Sequence, residues 1–288
     1  MRELKKIARP FLRSILKLKA HGVISRLCES DGVSKSLGEA LRETLQNEVP
    51  SDEKMWIERI ELHRDVLNAS DTKITIVDYG AGKPGQKLSE DEMRKGREVT
   101  RTISEISKSA SKPYFWSLLL FKLIRKFEPG QCLELGTSLG ISAAYQAAAL
   151  KLNGSGKIIT LEGSDSLATL AKRHVQSLSL DNVRVAVGRF QDTLDGILRA
   201  NNSIDFVFID GHHDEQATID YYHKIRPFLS DSAVMVFDDI AWSGGMQRAW
   251  KHISSDKEVK ISVDMWQIGI CVLDSRLKSK KNIVIPLV

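Results

Sequence analysis

Cysteine is scarce in this 288-residue chain, and the three present, Cys28, Cys132 and Cys271, lie far apart. Without a C-x-x-C pair, neither a disulfide framework nor a structural zinc site is expected. The thiols read as free groups in a reducing, cytoplasmic compartment. No apolar run approaches the roughly 18 residues needed to cross a bilayer. Internal repeats and low-complexity tracts are missing as well. What remains, 42% hydrophobic and 27% charged residues, is enough for one large domain with or without an appendage.

Charge is spread unevenly. Residues 1–30 carry Arg2, Lys5, Lys6, Arg9, Arg13, Lys17, Lys19 and Arg26 against Glu3 and Glu29, and the net charge of +5 leans on this segment. Leu4, Ile7, Phe11, Leu12, Ile15 and Leu16 recur between them at helical spacing. The segment lacks the apolar core and small-residue cleavage site of a secretory signal. An amphipathic helix docked on its own protein is the plain reading. Peripheral contact of residues 1–27 with an anionic membrane surface, or a targeting role, stays open. No basic stretch is interleaved with stacking aromatics, so a nucleic-acid partner is not expected.

Helical periodicity prevails to about residue 70, first up to about Leu27 and then from Ser34 to Asn68 with an interruption at Pro50. Ile74–Tyr79 alternates like a short strand and runs into Gly80-Ala-Gly-Lys-Pro-Gly85. That cluster is no phosphate loop, since Val77 and Pro84 stand where a glycine and a hydroxyl are required. A polar segment, Ser89–Lys112, and an apolar helix from Pro113 to Phe127 follow. Residues 1–112 read as a helical extension and 113–288 as the main domain. From Pro129 short apolar strands alternate with helices, the pattern of a parallel sheet covered on both faces. The strands expected are Gln131–Leu135, Lys157–Leu161, Val183–Val187, Ile204–Ile209, Ala233–Phe237, Val259–Val263 and Gln267–Leu273. The link between the last two, Asp264 to Trp266, is too short for a parallel crossover, so they should form an antiparallel hairpin.

Two stretches carry chemistry. In the first, Cys132-Leu-Glu134-Leu-Gly136-Thr-Ser-Leu-Gly140, a strand enters a glycine turn and a helix. Gly136 lets the backbone approach a ligand, and Gly140 permits close helix–strand packing. The spacing E-x-G-x-x-x-G is not that of a pyrophosphate binder, and Glu134 suits a cationic amino-acid group better than a phosphate. Glu162 ends the next strand, where a doubly wound fold places a carboxylate for ribose hydroxyls. In the second stretch, Asp205-Phe-Val-Phe-Ile-Asp210-Gly-His212-His213 is followed by Val234-Met-Val-Phe-Asp238-Asp239. Asp210, Asp238 and Asp239 should meet at the carboxyl edge of the sheet. Clustered carboxylates repel unless a cation or proton intervenes, and hard oxygen ligands suit Mg2+ or Mn2+. Capping of a helix by Asp238 and Asp239 is the plain alternative.

On these residues the segment from Pro129 to about Asp274 resembles the class I S-adenosylmethionine-dependent methyltransferases, close to catechol O-methyltransferase and bacterial small-molecule O-methyltransferases. Leu133–Ser142 is similar to that family's first motif and Thr160–Gly163 to its second. The resemblance implies a Rossmann-like sheet of seven strands in the order 3-2-1-4-5-7-6, the last antiparallel. It implies that Glu134, Gly136 and Ser138 surround the methionine part of the cofactor and Glu162 its ribose. Thr137, Gly140, Gly163 and Asp210 belong to the same set, and Phe190 and Gln191 are carried over as adenine contacts. Asp210, Asp238 and Asp239 match the family's metal ligands. His212, two residues past Asp210, is the expected acid–base residue, with His213 as its alternative. Trp242 reads as core or as a stack for an acceptor, and Trp116 and Trp266 read as core.

The function expected is methylation of a hydroxyl on a small-molecule acceptor such as a sugar, a phenol or a natural product. A non-catalytic cofactor-binding or membrane-surface scaffold is the rival from another class. A nucleic-acid methyltransferase is disfavoured by the lack of an N-P-P-[YF] tetrapeptide and of a placed cysteine nucleophile. A homo-oligomer stays open.

Overall fold

The structure, a computed structural model, describes residues 20–80, 95–201 and 203–285. The basic segment before residue 20 and all of the glycine cluster after Gly80 lie outside the described residues. Among those described, no helix is long and apolar enough to cross a membrane.

The chain opens on a helix over residues 20–28, followed by α1 (Gly32–Gln46) and α2 (Ser51–Asn68). The interruption expected at Pro50 falls between α1 and α2, where Asn47 turns left-handed (φ 52°) and Pro50 precedes α2. Strand β1 (Lys73–Asp78) pairs antiparallel with β2 (Arg97–Thr102), from Lys73 opposite Thr102 to Asp78 opposite Arg97. Helix α3 (Ile103–Ala110) follows at once. Its start is set by a capping box, in which Glu105 N–H donates to the Thr102 hydroxyl and Thr102 N–H to the Glu105 carboxylate. Neither β2 nor α3 was expected within the polar segment. Helix α4 (Tyr114–Phe127) then leads into the sheet.

The main sheet contains β3 (Gln131–Leu135), β4 (Lys157–Glu162), β5 (Val183–Val187), β6 (Ile204–Ile209), β7 (Leu229–Phe237), β8 (Ile261–Asp264), β9 (Gly269–Asp274) and β10 (Lys281–Val284). In space they run β10-β8-β9-β7-β6-β3-β4-β5. Counting from β3, this is the expected 3-2-1-4-5-7-6, with one further strand added at the β8 edge. β9 is antiparallel to both β7 and β8, while the remaining pairs are parallel. Lys281-Asn-Ile-Val284 is mostly exposed, so its periodicity is too weak to announce a strand. Helices α5 (Ile141–Leu152), α6 (Asp165–Ser177), α7 (Phe190–Ala200), α8 (Glu215–Ile225) and α9 (Gly244–Ser255) cover the two faces.

One apolar cluster runs from Ala20 through α1, α2 and α4 to α5 and on to Ile285, across the boundary expected at residue 112. A charged knot lies inside it. Lys122 of α4 is fully buried, and its ammonium donates to Glu43 of α1 (2.9 Å) and Glu53 of α2 (2.5 Å). Trp116 is buried as expected and donates to the Gln267 side chain (2.8 Å). Trp266 is not core: it sits at the β8–β9 turn with φ 70° and is 68% exposed. A turn between two antiparallel strands holds its side chain out of both faces.

The strand order reverses between β3 and β6, and the carboxyl ends of these neighbours diverge into a crevice.

Candidate active site

A cavity of about 340 Å3 opens at that crevice. Its floor is made by the loops after β3, β4 and β6. Its roof comes from the N-terminal part: β1 through Ile76, Val77 and Asp78, then Tyr79, and α3 through Ile106, Ser109 and Ala110. The roof is fastened to the floor. Val77 N–H donates to Ser164 Oγ (3.3 Å), and the Tyr79 ring lies so close over Gly163 that a β-carbon there would stand 2.7 Å from it.

One side of the cavity is lined by two glycines, a serine, a phenylalanine and a carboxylate. The turn after β3 places Gly136 at φ 107°, where a β-carbon would overlap the Asp210 carbonyl oxygen. Ser138 is left-handed (φ 48°), and its N–H donates to Glu162 Oε2 (2.8 Å). Ser164 N–H donates to Glu162 Oε1 (2.9 Å), so the carboxylate is fixed by main chain and faces the cavity. Burial pushes the Glu162 carboxyl up to about 7, against the opposing pull of those N–H groups. Gly163 and Phe190 complete this wall, the ring pressing on Gly211.

Several residues expected to touch the cofactor are elsewhere. Glu134 is fully buried behind the turn and accepts from Gln146 Nε2 (2.7 Å) and Thr160 Oγ1 (2.6 Å). Burial raises its carboxyl to about 8. Thr137 is buried with its hydroxyl 2.6 Å from that of Thr160. Gly140 packs on Ala171 of α6, and Gln191 is exposed on α7, away from the cavity lining. These four support the walls or lie outside them; Gly136, Ser138, Glu162, Gly163, Phe190 and Asp210 line the cavity.

The other side gathers charge. Asp210 follows β6, Asp238 follows β7, and Asp239 is held left-handed (φ 53°). The acids converge as expected, and they do not cap α9, whose first turn is capped by Ser243. His213 stands between two of them, Nε2 3.7 Å from Asp210 and Nδ1 3.8 Å from Asp239. Burial depresses its basicity despite Asp238 and Asp239, which favours the neutral ring. Trp242 leans on it with ring centres 5.8 Å apart. His212 also reaches the cavity, but it is 9% exposed and its Nδ1 lies 2.5 Å from the Tyr221 hydroxyl. Its ring is stacked on Tyr221 and met edge-on by Phe190, so it is built into the packing.

Sequence reasoning missed Lys112. It is buried, lines the cavity, donates its ammonium to Asp238 and stands 3.3 Å from Asp210. Burial alone would lower its pKa, but Asp210 and Asp238 outweigh this and hold it above the ordinary lysine value. The residues therefore do not fit a divalent ion as they stand. Ligand atoms of Asp210, His213 and Asp238 do lie within 4.8 Å of one another. A second positive charge, however, would have to enter beside a buried ammonium already engaged with both carboxylates.

Residues 133–240 match the family Methyltransf_24, described as a methyltransferase domain. Among solved structures, the O-methyltransferase from Bacillus cereus in complex with S-adenosylhomocysteine is similar at TM-score 0.50 and 22% identity, over 58% of this chain and 84% of that one. The S-adenosylhomocysteine-bound methyltransferase PaMTH1 of Podospora anserina gives TM-score 0.51 and 15% identity, over 58% and 81%. At these identities the likeness speaks for the fold, and the match over β3 to Ile240 places the motifs within it. Over residues 133–240 the chain is thus similar to a methyltransferase domain, and its fold is the one that these S-adenosylhomocysteine-bound structures share.

Proposed function

We propose that the chain transfers the methyl group of S-adenosylmethionine to a hydroxyl oxygen of a small molecule. One observation carries this reading: Gly136, Ser138, Glu162 and Phe190 line the same cavity as His213, which is set between Asp210 and Asp239. The cofactor would lie along the first wall with its sulfonium toward Asp210, and the acceptor would enter beneath α3. His213 would take the hydroxyl proton, in place of His212, whose Nδ1 is engaged by Tyr221. The oxygen then attacks the methyl carbon in line, and the carbon–sulfur pair returns to sulfur. The similar Bacillus cereus protein is an O-methyltransferase, which supports oxygen as the acceptor atom. The Mg2+ or Mn2+ expected from the aspartates is not part of this reading, because Lys112 already sets a cation among them.

The test is incubation of the full chain with S-adenosylmethionine labelled in the methyl group and a panel of phenols, sugars and amines. Labelled methyl ethers are expected. Transfer only to amines, or none at all, would overturn the reading. With the acceptor found, His213→Asn should lower kcat about 100-fold while KM for the cofactor stays within about twofold. His212→Asn should act mainly on stability.

Glu162 gives a second check. In Glu162→Gln an amide NH2 must confront the N–H of Ser138 or Ser164, and one ribose acceptor is lost. The Kd for S-adenosylhomocysteine should rise roughly 10- to 30-fold by calorimetry. Because this carboxyl is pushed up to about 7, wild-type affinity should fall as pH is lowered from about 8 to about 6. The variant's affinity should be flat over that range.

A further inference from the structure

Lys112 is held in place at both ends. Its carbonyl accepts from Arg64 Nη1 (2.8 Å) and Ser117 Oγ (3.1 Å), and Pro113 restricts Lys112 to extended backbone. Arg64 belongs to α2 and Ser117 to α4, so the N-terminal helices aim this side chain at the ends of β6 and β7. An ammonium has three donors. One goes to Asp238 and a second can reach Asp210, which leaves a third on the cavity side. Asp238 is 1% exposed and its Oδ1 has no partner among the described residues, so its charge depends on Lys112.

We propose that the Lys112 ammonium is the resident cation of the aspartate cluster, binding the acceptor oxygen and supplying the charge compensation for transfer without a divalent metal. This rests on the hydroxyl-methylating reading above. In the step, the acceptor O–H bond breaks and its proton passes to His213. The oxygen, held by the Lys112 N–H, forms the O–CH3 bond as the methyl–sulfonium bond breaks. The products are a methyl ether and neutral S-adenosylhomocysteine, and no further reactant is needed. Lys112 keeps its protons throughout.

The test uses the purified full chain, Mn2+ as probe and S-adenosylhomocysteine calorimetry as the control. Wild type should bind S-adenosylhomocysteine and take up no Mn2+ at the millimolar level. Lys112→Ala, and Lys112→Met as a volume-keeping variant that guards against misfolding, should keep nucleoside binding. They should bind Mn2+ at least about tenfold more tightly than wild type, because uncompensated carboxylates attract the ion. In the labelled-methyl assay, excess chelator should leave wild-type turnover within about twofold, and Lys112→Met should lose about 100-fold in kcat. Addition of Mn2+ should restore part of the Lys112→Ala rate. Wild type binding Mn2+ as tightly as Lys112→Ala, or chelator abolishing wild-type turnover, would overturn the Lys112 inference and leave the methyltransferase reading intact. Wild type failing to bind S-adenosylhomocysteine would overturn both.

Discussion

Replacing Gly136 with alanine is expected to abolish binding of S-adenosylhomocysteine and to lower stability by about 3–5 kcal/mol. Two causes add. The backbone at φ 107° is one that side-chain-bearing residues rarely adopt, and the new β-carbon would collide with the Asp210 carbonyl oxygen. Retreat is blocked, since Asp210 N–H is bonded to Leu135 O (2.8 Å) and Gly136 N–H to Leu161 O (3.0 Å). The turn would have to leave both neighbouring strands, and Ser138 would carry its N–H away from Glu162. Gly154→Ala is the comparator: φ is 82° there, yet nothing lies within 4 Å, so strain of about 1 kcal/mol should be the whole effect. Calorimetry and urea unfolding of both variants check this. Wild-type nucleoside affinity in Gly136→Ala would refute it.

The other large effect concerns Glu134. Its carboxyl titrates near 4.5 when unfolded and is pushed up to about 8 by burial in the fold. The folded state thus keeps a proton that the unfolded chain releases. Below about 4.5 both states are protonated and nothing changes; between about 4.5 and 8 wild-type stability falls with rising pH; above 8 it levels off. The full excursion is on the order of 4 kcal/mol. Glu134→Gln removes it. The amide can be received, because the buried Gln146 Oε1 has no partner among the described residues and a flip would turn it toward the new NH2. Urea unfolding at pH 5 and pH 8.5 should show the variant gaining on wild type by most of that amount. Parallel pH profiles would mean that the folded carboxylate is ionised.

The sheet was legible in the sequence because parallel strands buried on both faces leave near-continuous apolar runs, as in Ile204–Ile209 and Val234–Phe237. That Gly136 and Glu162 share a wall of the cavity was legible because one follows β3 and the other ends the neighbouring β4. Glu134 misled, since a motif acid at a strand's penultimate position is turned inward by the two-residue repeat. The β1–β2 hairpin was half visible. Ile74–Tyr79 alternates, but Arg97-Glu-Val-Thr-Arg-Thr102 stands over a cavity and hides little apolar surface, so it reads as polar chain. Lys112 could not be found by spacing at all. Its contact with Asp238 spans 126 positions, and the only local trace is the Pro113 that follows it. Of the paired histidines, which one faced the acids depended on two successive left-handed residues, φ 64° at His212 and 48° at His213.

The roof over the cavity also has a bearing on how such folds diversify. Tyr79, α3 and Lys112 come from the part of the chain that precedes the nucleotide fold, whereas Glu162 and Phe190 come from within it. Selection can rewrite the residues that precede β3, and with them the roof of the cavity, without touching the wall that holds Glu162 and Phe190. A relative with the same strands and glycines but another segment before them would therefore share that wall and differ in the opposite face of the cavity.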